Sequence, residues 1–309
     1  MPIHSGIIDN PKADRIRKVS DLSSRKRREE YGRFCIEGPQ AVREAIAYRP
    51  EIIGDLFVEV RAGGQAQGEQ AQGEQAQGEQ AQMEQARPLS RVVERLEADS
   101  QAYDIYVHHV TSRVMQRIST DSQGIVAVAD LAAMRVDAED VPLAEGATVA
   151  AFWQIRDPGN AGTVIRAADA AGCDAVVFVD DCVDVLNPKV VRSSVGSLFH
   201  IPVLTMSTRE FMQWTKSIHA KVVAADVYGL EGRPAMPLPE YIQQGELDGV
   251  QPHAFLFGNE ARGLPESILK QVDRSVCIPM YGKAESLNLA TSAAILLHTV
   301  AMSSHIERI

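Results

Sequence analysis

Val276-Cys-Ile-Pro-Met-Tyr-Gly-Lys-Ala-Glu-Ser-Leu-Asn-Leu-Ala-Thr-Ser-Ala-Ala-Ile-Leu-Leu-His298 is the stretch from which the rest of the chain can be read. Residues 275–279 form a short apolar run ended by proline, the pattern of a buried strand. A glycine-bearing loop, 281–285, follows. Beyond it Leu289, Ala293, Leu296, Leu297 and Val300 recur at helical spacing, which predicts a packed helix over 287–302. Ser286 stands where an N-cap belongs, and Asn288 falls within the first turn. A strand, a polar loop and a packed helix are common, so this stretch takes its meaning from what precedes it.

Upstream, strand and helix patterns alternate. Strands are predicted at 148–154, 175–180, 202–204, 221–225, 254–257 and 275–278, and helices at 161–171, 188–198, 208–218, 265–271 and 287–302. That alternation predicts an open, mostly parallel α/β sheet with ligands at the carboxyl ends of its strands. No glycine-rich phosphate turn of the GxGxxG type follows a strand, and there is no P-loop, which argues against an ordinary dinucleotide or ATP site.

Two polar segments lie just after strands. Asp157-Pro-Gly-Asn-Ala-Gly162 has glycines that let backbone approach a ligand, and Asn160 can fix local amides or cap the helix. In that helix Val164, Ala167, Ala168 and Ala171 make the buried stripe, and Arg166 falls off it, either as a solvated surface residue or as a functional one. Gly258-Asn-Glu-Ala-Arg-Gly263 reads as a tight loop exposing backbone amides and carbonyls. Glu260, its one carboxylate, could order the loop or do acid–base work.

The first half is a separate domain. At 309 residues the chain is long enough for two cores. Residues 1–10 read as a loose leader and 12–28 as basic and weakly helical. Strands follow near 32–38 and 52–60, with helices at 39–48 and 89–98, a strand at 103–107, a helix at 111–118 and a closing strand within 121–129. Gln65-Ala-Gln-Gly-Glu69 recurs with a five-residue period to 84, a composition that buries no core, so 65–86 is expected to be a disordered insertion. Residues 132–146, with four acids and Pro142, are the expected linker.

Hydrophobic content of 45% and charged content of 23% are ordinary for a globular chain. The net charge of −10 speaks against nucleic acid, but its distribution does not. From Lys12 to Arg33 nine basic residues meet four acids, and Arg15, Arg17, Lys18, Arg25, Lys26, Arg27 and Arg28 are the candidate RNA contacts. The alternative is a solvated basic helix face. Cys35, Cys173, Cys182 and Cys277 form no CxxC pair, so reduced, buried thiols are expected, with no metal site. Without a signal-peptide core or an apolar run of membrane-spanning length, a cytoplasmic protein with no membrane partner is expected.

Taken in order, residues 157–169, Phe255-Leu-Phe-Gly-Asn-Glu-Ala-Arg-Gly-Leu-Pro265, and Ile278-Pro-Met280 with Ser286-Leu-Asn288 resemble the three motifs of the SpoU/TrmH family (SPOUT superfamily) of RNA ribose 2′-O-methyltransferases. The resemblance covers about the last half of the chain and every core motif position. More loosely, Phe34-Cys-Ile-Glu-Gly38 and 121–129 resemble the small α/β sandwich RNA-binding domain that precedes many such enzymes. The resemblance implies a substrate domain at 1–131, a linker at 132–146 and a catalytic domain at 147–309 whose motif loops form a deep trefoil knot. It implies S-adenosylmethionine as cofactor, held by Leu256, Phe257, Gly258, Ile278, Met280, Ser286, Leu287 and Asn288, with Ala225 a weaker addition; plain core packing is the other reading of Ile278, Met280 and Leu287. Arg166 matches the family's essential arginine, and Asn160, Glu260, Ser286 and Asn288 complete the expected catalytic set. Because guanidinium stays protonated, Arg166 is expected to clamp phosphate and stabilise developing alkoxide rather than act as base. A homodimer through the C-terminal helix is implied, as is RNA as partner, with 23S ribosomal RNA favoured over transfer RNA. A non-catalytic RNA-binding or ribosome-assembly protein on the same fold is the alternative.

Overall fold

The computed structural model describes residues 6–61, 87–245, 247 and 249–304, in two compact units that divide between Met134 and Arg135. The repeat insertion lies outside the described residues.

The first unit is built on a mixed sheet. β1 (Arg33–Glu37) and β2 (Ile53–Arg61) flank β5 (Ile125–Asp130) antiparallel, and β4 (Tyr106–Val110) runs parallel to β2. The short β3 (Arg87–Pro88) pairs with the far end of β2. Helices α1 (Asp14–Asp21) and α2 (Arg25–Tyr31) precede β1. Ile16, Val19 and Leu22 pack with Val114, Met115 and Ile118 of α5 (Ser112–Ile118) over Phe57, Val126 and Val128. Helices α3 (Pro39–Tyr48) and α4 (Arg91–Ser100) each bury a stripe, Val42 and Ile46 in the first and Val93 and Leu96 in the second. α3 starts as its sequence dictates, with proline at its first position after Gly38 at φ +87°.

Three expectations change here. The leader is tied down at Ile8, which pairs with the end of β4 through Ile8 N–H to His109 O (2.9 Å) and Thr111 N–H to Ile8 O (3.1 Å). β4 begins three residues later than its apolar pattern suggests, after a turn that takes Asp104 to φ +57°. Arg28, expected as an RNA contact, is 2% exposed; its guanidinium donates to Leu22 O (2.8 Å) and Ser23 O (3.0 Å), satisfying carbonyls left open past the end of α1.

The second unit is an all-parallel seven-stranded sheet in the order β12 (Met236–Pro237), β14 (Arg274–Cys277), β9 (Lys221–Ala225), β13 (His253–Phe257), β6 (Thr148–Trp153), β7 (Ala175–Val179), β8 (Val203–Met206). β7 and β13 are buried along their whole length and β6 from Val149 onward, as near-continuous Val, Ala and Phe runs require of central parallel strands. The stretch read as a linker joins this core beyond residue 134: Val141 is buried there, and the indole of Trp214 on α8 (Thr208–Ser217) donates to Ala138 O at 3.2 Å.

Helix boundaries follow their caps. α6 (Pro158–Ala170) begins three residues earlier than its apolar stripe, with Asp157 as cap accepting from Asn160 N–H at 2.7 Å and Pro158 at the first position. α7 (Pro188–Ser193) stops short of residue 198 because Val195 (φ +54°) and Gly196 (φ +100°) leave the right-handed region. It docks on α6 at Gly162, where a Cβ would lie 2.0 Å from Ser193 Oγ and 2.6 Å from Val190 O. α9 (Leu238–Gln243) and α10 (Glu266–Leu269) are short, and α9 and the strand pair β10 (Gly229–Leu230) and β11 (Arg233–Pro234) have no signal in the apolar pattern. The final helix, α11 (Leu289–Ser304), packs on α6. Its cap is Asn288, not Ser286: Asn288 Oδ1 accepts from Ala290 N–H (2.9 Å) and Thr291 N–H (3.3 Å).

Candidate active site

The carboxyl ends of β9, β13 and β14 border a cavity of about 370 Å³. Each wall is a loop whose residues fold it locally. After β9, Asp226 Oδ1 accepts from Tyr228 N–H (3.0 Å) and Gly229 N–H (2.7 Å), an Asx turn. After β13, Asn259 O accepts from Gly263 N–H (2.8 Å) and its side-chain oxygen from Ala261 N–H (3.0 Å). Gly258 and Gly263 face each other so closely that a Cβ on Gly258 would fall 2.4 Å from the carbonyl carbon of Gly263. After β14, Ile278 and Met280 form the third wall, closed by Ser286 and Leu287 ahead of α11.

A hydrogen-bonded relay ties the segments after β6, β13 and β14 together. Asn288 Nδ2 donates to Asn160 Oδ1 (3.1 Å), and Asn160 Nδ2 donates to Glu260 Oε1 (3.0 Å). Asn259 Nδ2 reaches Glu260 Oε2 (3.4 Å) and the carbonyl of Gln154 (2.8 Å), which sits in the left-handed region (φ +50°) at the end of β6. The capping shifts make this possible. Asp157 takes the helix-capping duty and frees both ends of the Asn160 amide, while Asn288 caps α11 with its oxygen and keeps its nitrogen for Asn160. Residues 100 and 128 positions apart are thereby held in one cluster. With Glu260 spent on two amide donors, the order-keeping reading of this carboxylate is favoured over proton transfer.

Of the expected cofactor contacts, Ala225, Phe257, Gly258, Ile278, Met280, Ser286 and Leu287 line the cavity. Leu256 does not; its side chain is fully buried in the core beside the sheet, as alternation along β13 demands. Asn288 does not either, being turned toward Asn160. Arg166 is exposed on α6, six residues or about 9 Å of helix rise beyond Asn160, off the cavity wall. Among the described residues its guanidinium has no hydrogen-bond or ion-pair partner, unlike Arg156, which pairs with Asp181 at 2.7 Å. In the basic segment Arg15, Arg17, Lys18, Arg25, Lys26 and Arg27 are exposed, although Arg17, Arg25 and Arg27 pair with Asp14, Glu29 and Glu30.

Sequence reasoning passed over Asp226, Tyr228, Arg262, Glu285 and Gln154. Only Asp226-Val-Tyr-Gly229, a turn signature directly after a strand, carried a local signal. Cys277, expected buried, is half-buried on the cavity wall, its thiol raised by partial burial, whereas Cys35 and Cys173 are buried and strongly raised.

The lining suits one class of ligand. Asp226, Glu260 and Glu285 outnumber Arg262, the one basic lining residue among those described, so a polyphosphate would be repelled and a cationic ligand favoured. Apolar walls at Phe257, Ile278, Met280 and Leu287 and a glycine-tight backbone loop fit a nucleoside carrying an amino-acid arm, and the volume lies in the usual small-molecule range of about 300–1,000 Å³.

Residues 147–298 match the family model described as the SpoU rRNA methylase family, and residues 13–127 match that of the MRM3-like substrate binding domain. The 23S rRNA (guanosine(2553)-2′-O)-methyltransferase RlmP of Bacillus subtilis is 30% identical over 291 residues, 94% of this chain and 97% of that protein. The chain belongs to the SpoU family. A second relative, the 23S rRNA (uridine(2479)-2′-O)-methyltransferase of Streptomyces viridochromogenes, is 34% identical over 175 residues, 56% of this chain and 58% of its own length. Among solved structures, the AdoMet-bound rRNA methyltransferase from Sinorhizobium meliloti superposes with a TM-score of 0.73 at 25% identity, covering 99% of both chains. The α/β fold with a parallel sheet is thus that of SpoU methyltransferases.

Proposed function

We propose that this protein transfers a methyl group from S-adenosylmethionine to a ribose 2′-hydroxyl of RNA, with 23S ribosomal RNA as the substrate. The observation that carries this reading is the Asn288–Asn160–Glu260 relay, which joins the three SpoU motifs at an acidic, glycine-walled cavity. The near full-length likeness to a 23S ribose methyltransferase supports the substrate class.

S-adenosylmethionine supplies a methyl group already activated for displacement. The chain's own residues then have to bind, position and stabilise. Phe257, Ile278, Met280 and Leu287 present the apolar surface and exclude water, and the 258–263 loop offers backbone groups to the polar edges. Ser286 stands exposed at the cavity edge, where it would orient the ribose or the cofactor. Holding the hydroxyl in line with the methyl group is the larger part of the catalysis. Arg166, permanently protonated, binds a phosphate or the developing alkoxide and does not take the hydroxyl proton, which passes to solvent water. Its place off the cavity wall supports its acting beside the cofactor of a partner protomer in a homodimer formed through α11 and α6. We read the loops after β13 and β14 as the crossing of a deep knot; their sharing one cavity with the end of β9 supports this. The first unit, in which Arg15, Arg17, Lys18, Arg25, Lys26 and Arg27 are exposed, is read as the RNA-recruiting domain, and the unpaired cysteines fit a cytoplasmic setting.

Calorimetric titration with S-adenosylmethionine, followed by labelled-methyl transfer to ribosomal and transfer RNA, tests the reading. One site per protomer and label in alkali-resistant dinucleotides of 23S RNA are expected. Label on a base, or cofactor binding without transfer to any RNA, would overturn it.

A further inference from the structure

Tyr281 and Tyr228 are the two most exposed large apolar side chains among the described residues, at 94% and 80%. Tyr228 lines the cavity, and Tyr281 directly follows the lining residue Met280 in the loop that borders it. Every other aromatic side chain described in the second unit is buried. A unit that buries all its remaining aromatic rings and leaves two bare beside one cavity has kept them for a flat partner.

The backbone under Tyr228 is held. Its N–H donates to Asp226 Oδ1, its carbonyl accepts from Ala235 N–H at 3.1 Å, and the next residue, Gly229 at φ +72°, is packed so tightly that a Cβ would lie 2.6 Å from Ala235 N. A ring on a fixed backbone stacks with little further loss of conformational freedom. Arg262, exposed and without a hydrogen-bond or ion-pair partner among the described residues, lines the same cavity. Bare rings and a free guanidinium on the loops around one cavity match an unpaired nucleic-acid strand, whose bases stack and whose phosphates pair with arginine.

We propose that Tyr228 and Tyr281 form a stacking platform for the unpaired bases flanking the target nucleotide, with Arg262 on an adjoining phosphate. The platform selects splayed, single-stranded RNA over duplex. It rests on the methyltransferase reading, since a ribose presented to this cavity brings its neighbouring nucleotides past the mouth. A second copy of the chain is the competing occupant, but it supplies no reason for an unpaired arginine beside the rings.

Full-length protein saturated with S-adenosylhomocysteine is titrated with a short single-stranded RNA carrying 2-aminopurine, and with the same RNA annealed to its complement. Wild type should quench the single strand and bind it more tightly than the duplex. Tyr281→Ala should weaken that binding about 5- to 150-fold and lose the quench, while Tyr281→Phe stays within about twofold, because stacking needs the ring and not the hydroxyl. Tyr228→Ala should act in the same direction. Unchanged affinity in both alanine variants, or their elution as monomers where wild type is dimeric, would overturn the platform. Stacking that depends on the tyrosines in a protein that methylates no RNA would instead remove the catalytic reading and leave the platform standing.

Discussion

Gly258→Ala sets the wall of the cavity against its own backbone. The added Cβ would lie 2.4 Å from Gly263 C, 2.6 Å from Leu264 N and 2.9 Å from Gly263 Cα, where ordinary contact begins at 3.4 Å. All three neighbours are backbone, so no side chain can swing aside, and the two halves of the 258–263 loop must part by about 1 Å. Forced overpacking of this kind costs about 1–3 kcal/mol. In the free protein the loop relaxes outward; to bind S-adenosylmethionine it must be drawn back against the clash. The strain therefore reappears as lost affinity, up to about 5- to 150-fold in Kd, with a fall in Tm. Gly282→Ala is the control, since a Cβ at Gly282 meets nothing within 4 Å and the loop it sits in borders the same cavity. That variant should bind as wild type, with stability changed by less than about 1 kcal/mol. Calorimetry with S-adenosylmethionine and S-adenosylhomocysteine, alongside thermal unfolding, reads both terms. If Gly258→Ala unfolds earlier but binds within twofold of wild type, the 258–263 loop is not a wall of the cofactor site.

Arg166→Ala should reduce methyl transfer by about 10²–10³-fold while leaving cofactor Kd within twofold, and surviving transfer would remove the arginine from the reaction. Asn160→Ala deletes two solvent-exposed hydrogen bonds of the relay and should lower unfolding free energy by about 0.5–1.5 kcal/mol in denaturant titrations. Asn160→Asp should be worse at neutral pH than in mild acid, because it places a second carboxylate against Glu260. Arg28→Ala should destabilise by about 2–4 kcal/mol, since two carbonyls lose a charged donor, whereas Lys26→Ala should leave stability unchanged and reduce the salt dependence of RNA binding by about one counterion. The Asp55 carboxyl is held below its ordinary range chiefly by its hydrogen bond to His108 at 2.7 Å, helped by the charges of His108, Arg15 and Arg33. A depressed folded-state value stabilises above the unfolded value and is lost as pH falls through the folded one. The stability advantage of wild type over Asp55→Asn should therefore be present at about pH 5 and shrink below about pH 4.

Where one stretch of sequence carried a whole element, reading it was enough. The continuous runs of β6, β7 and β13, Pro39 and Gly38 at the head of α3, and Leu289, Ala293, Leu296 and Val300 along α11 announce themselves, because burial and helical periodicity act over neighbouring residues. Leu256 was misplaced for the same reason: only the register of β13 in its sheet decides which side of the strand faces the core and which the cavity. Arg28 carries the same charge as Lys26, and no local rule separates the one that satisfies carbonyls at the end of α1 from the one left in water.

The sequence by itself determined the alternation of strand and helix, the glycine-bearing loops at strand ends and the residue types of the three motifs, all set by short-range sterics and hydrophobic pattern. Only the tertiary structure decided that Asn160, Glu260 and Asn288 share one relay, that Asp157 and Asn288 do the capping, and that Tyr228 and Tyr281 are left bare on loops around one cavity. Those outcomes depend on hydrogen bonds and contacts between residues dozens to more than a hundred positions apart, which form only when the sheet has brought its strand ends together.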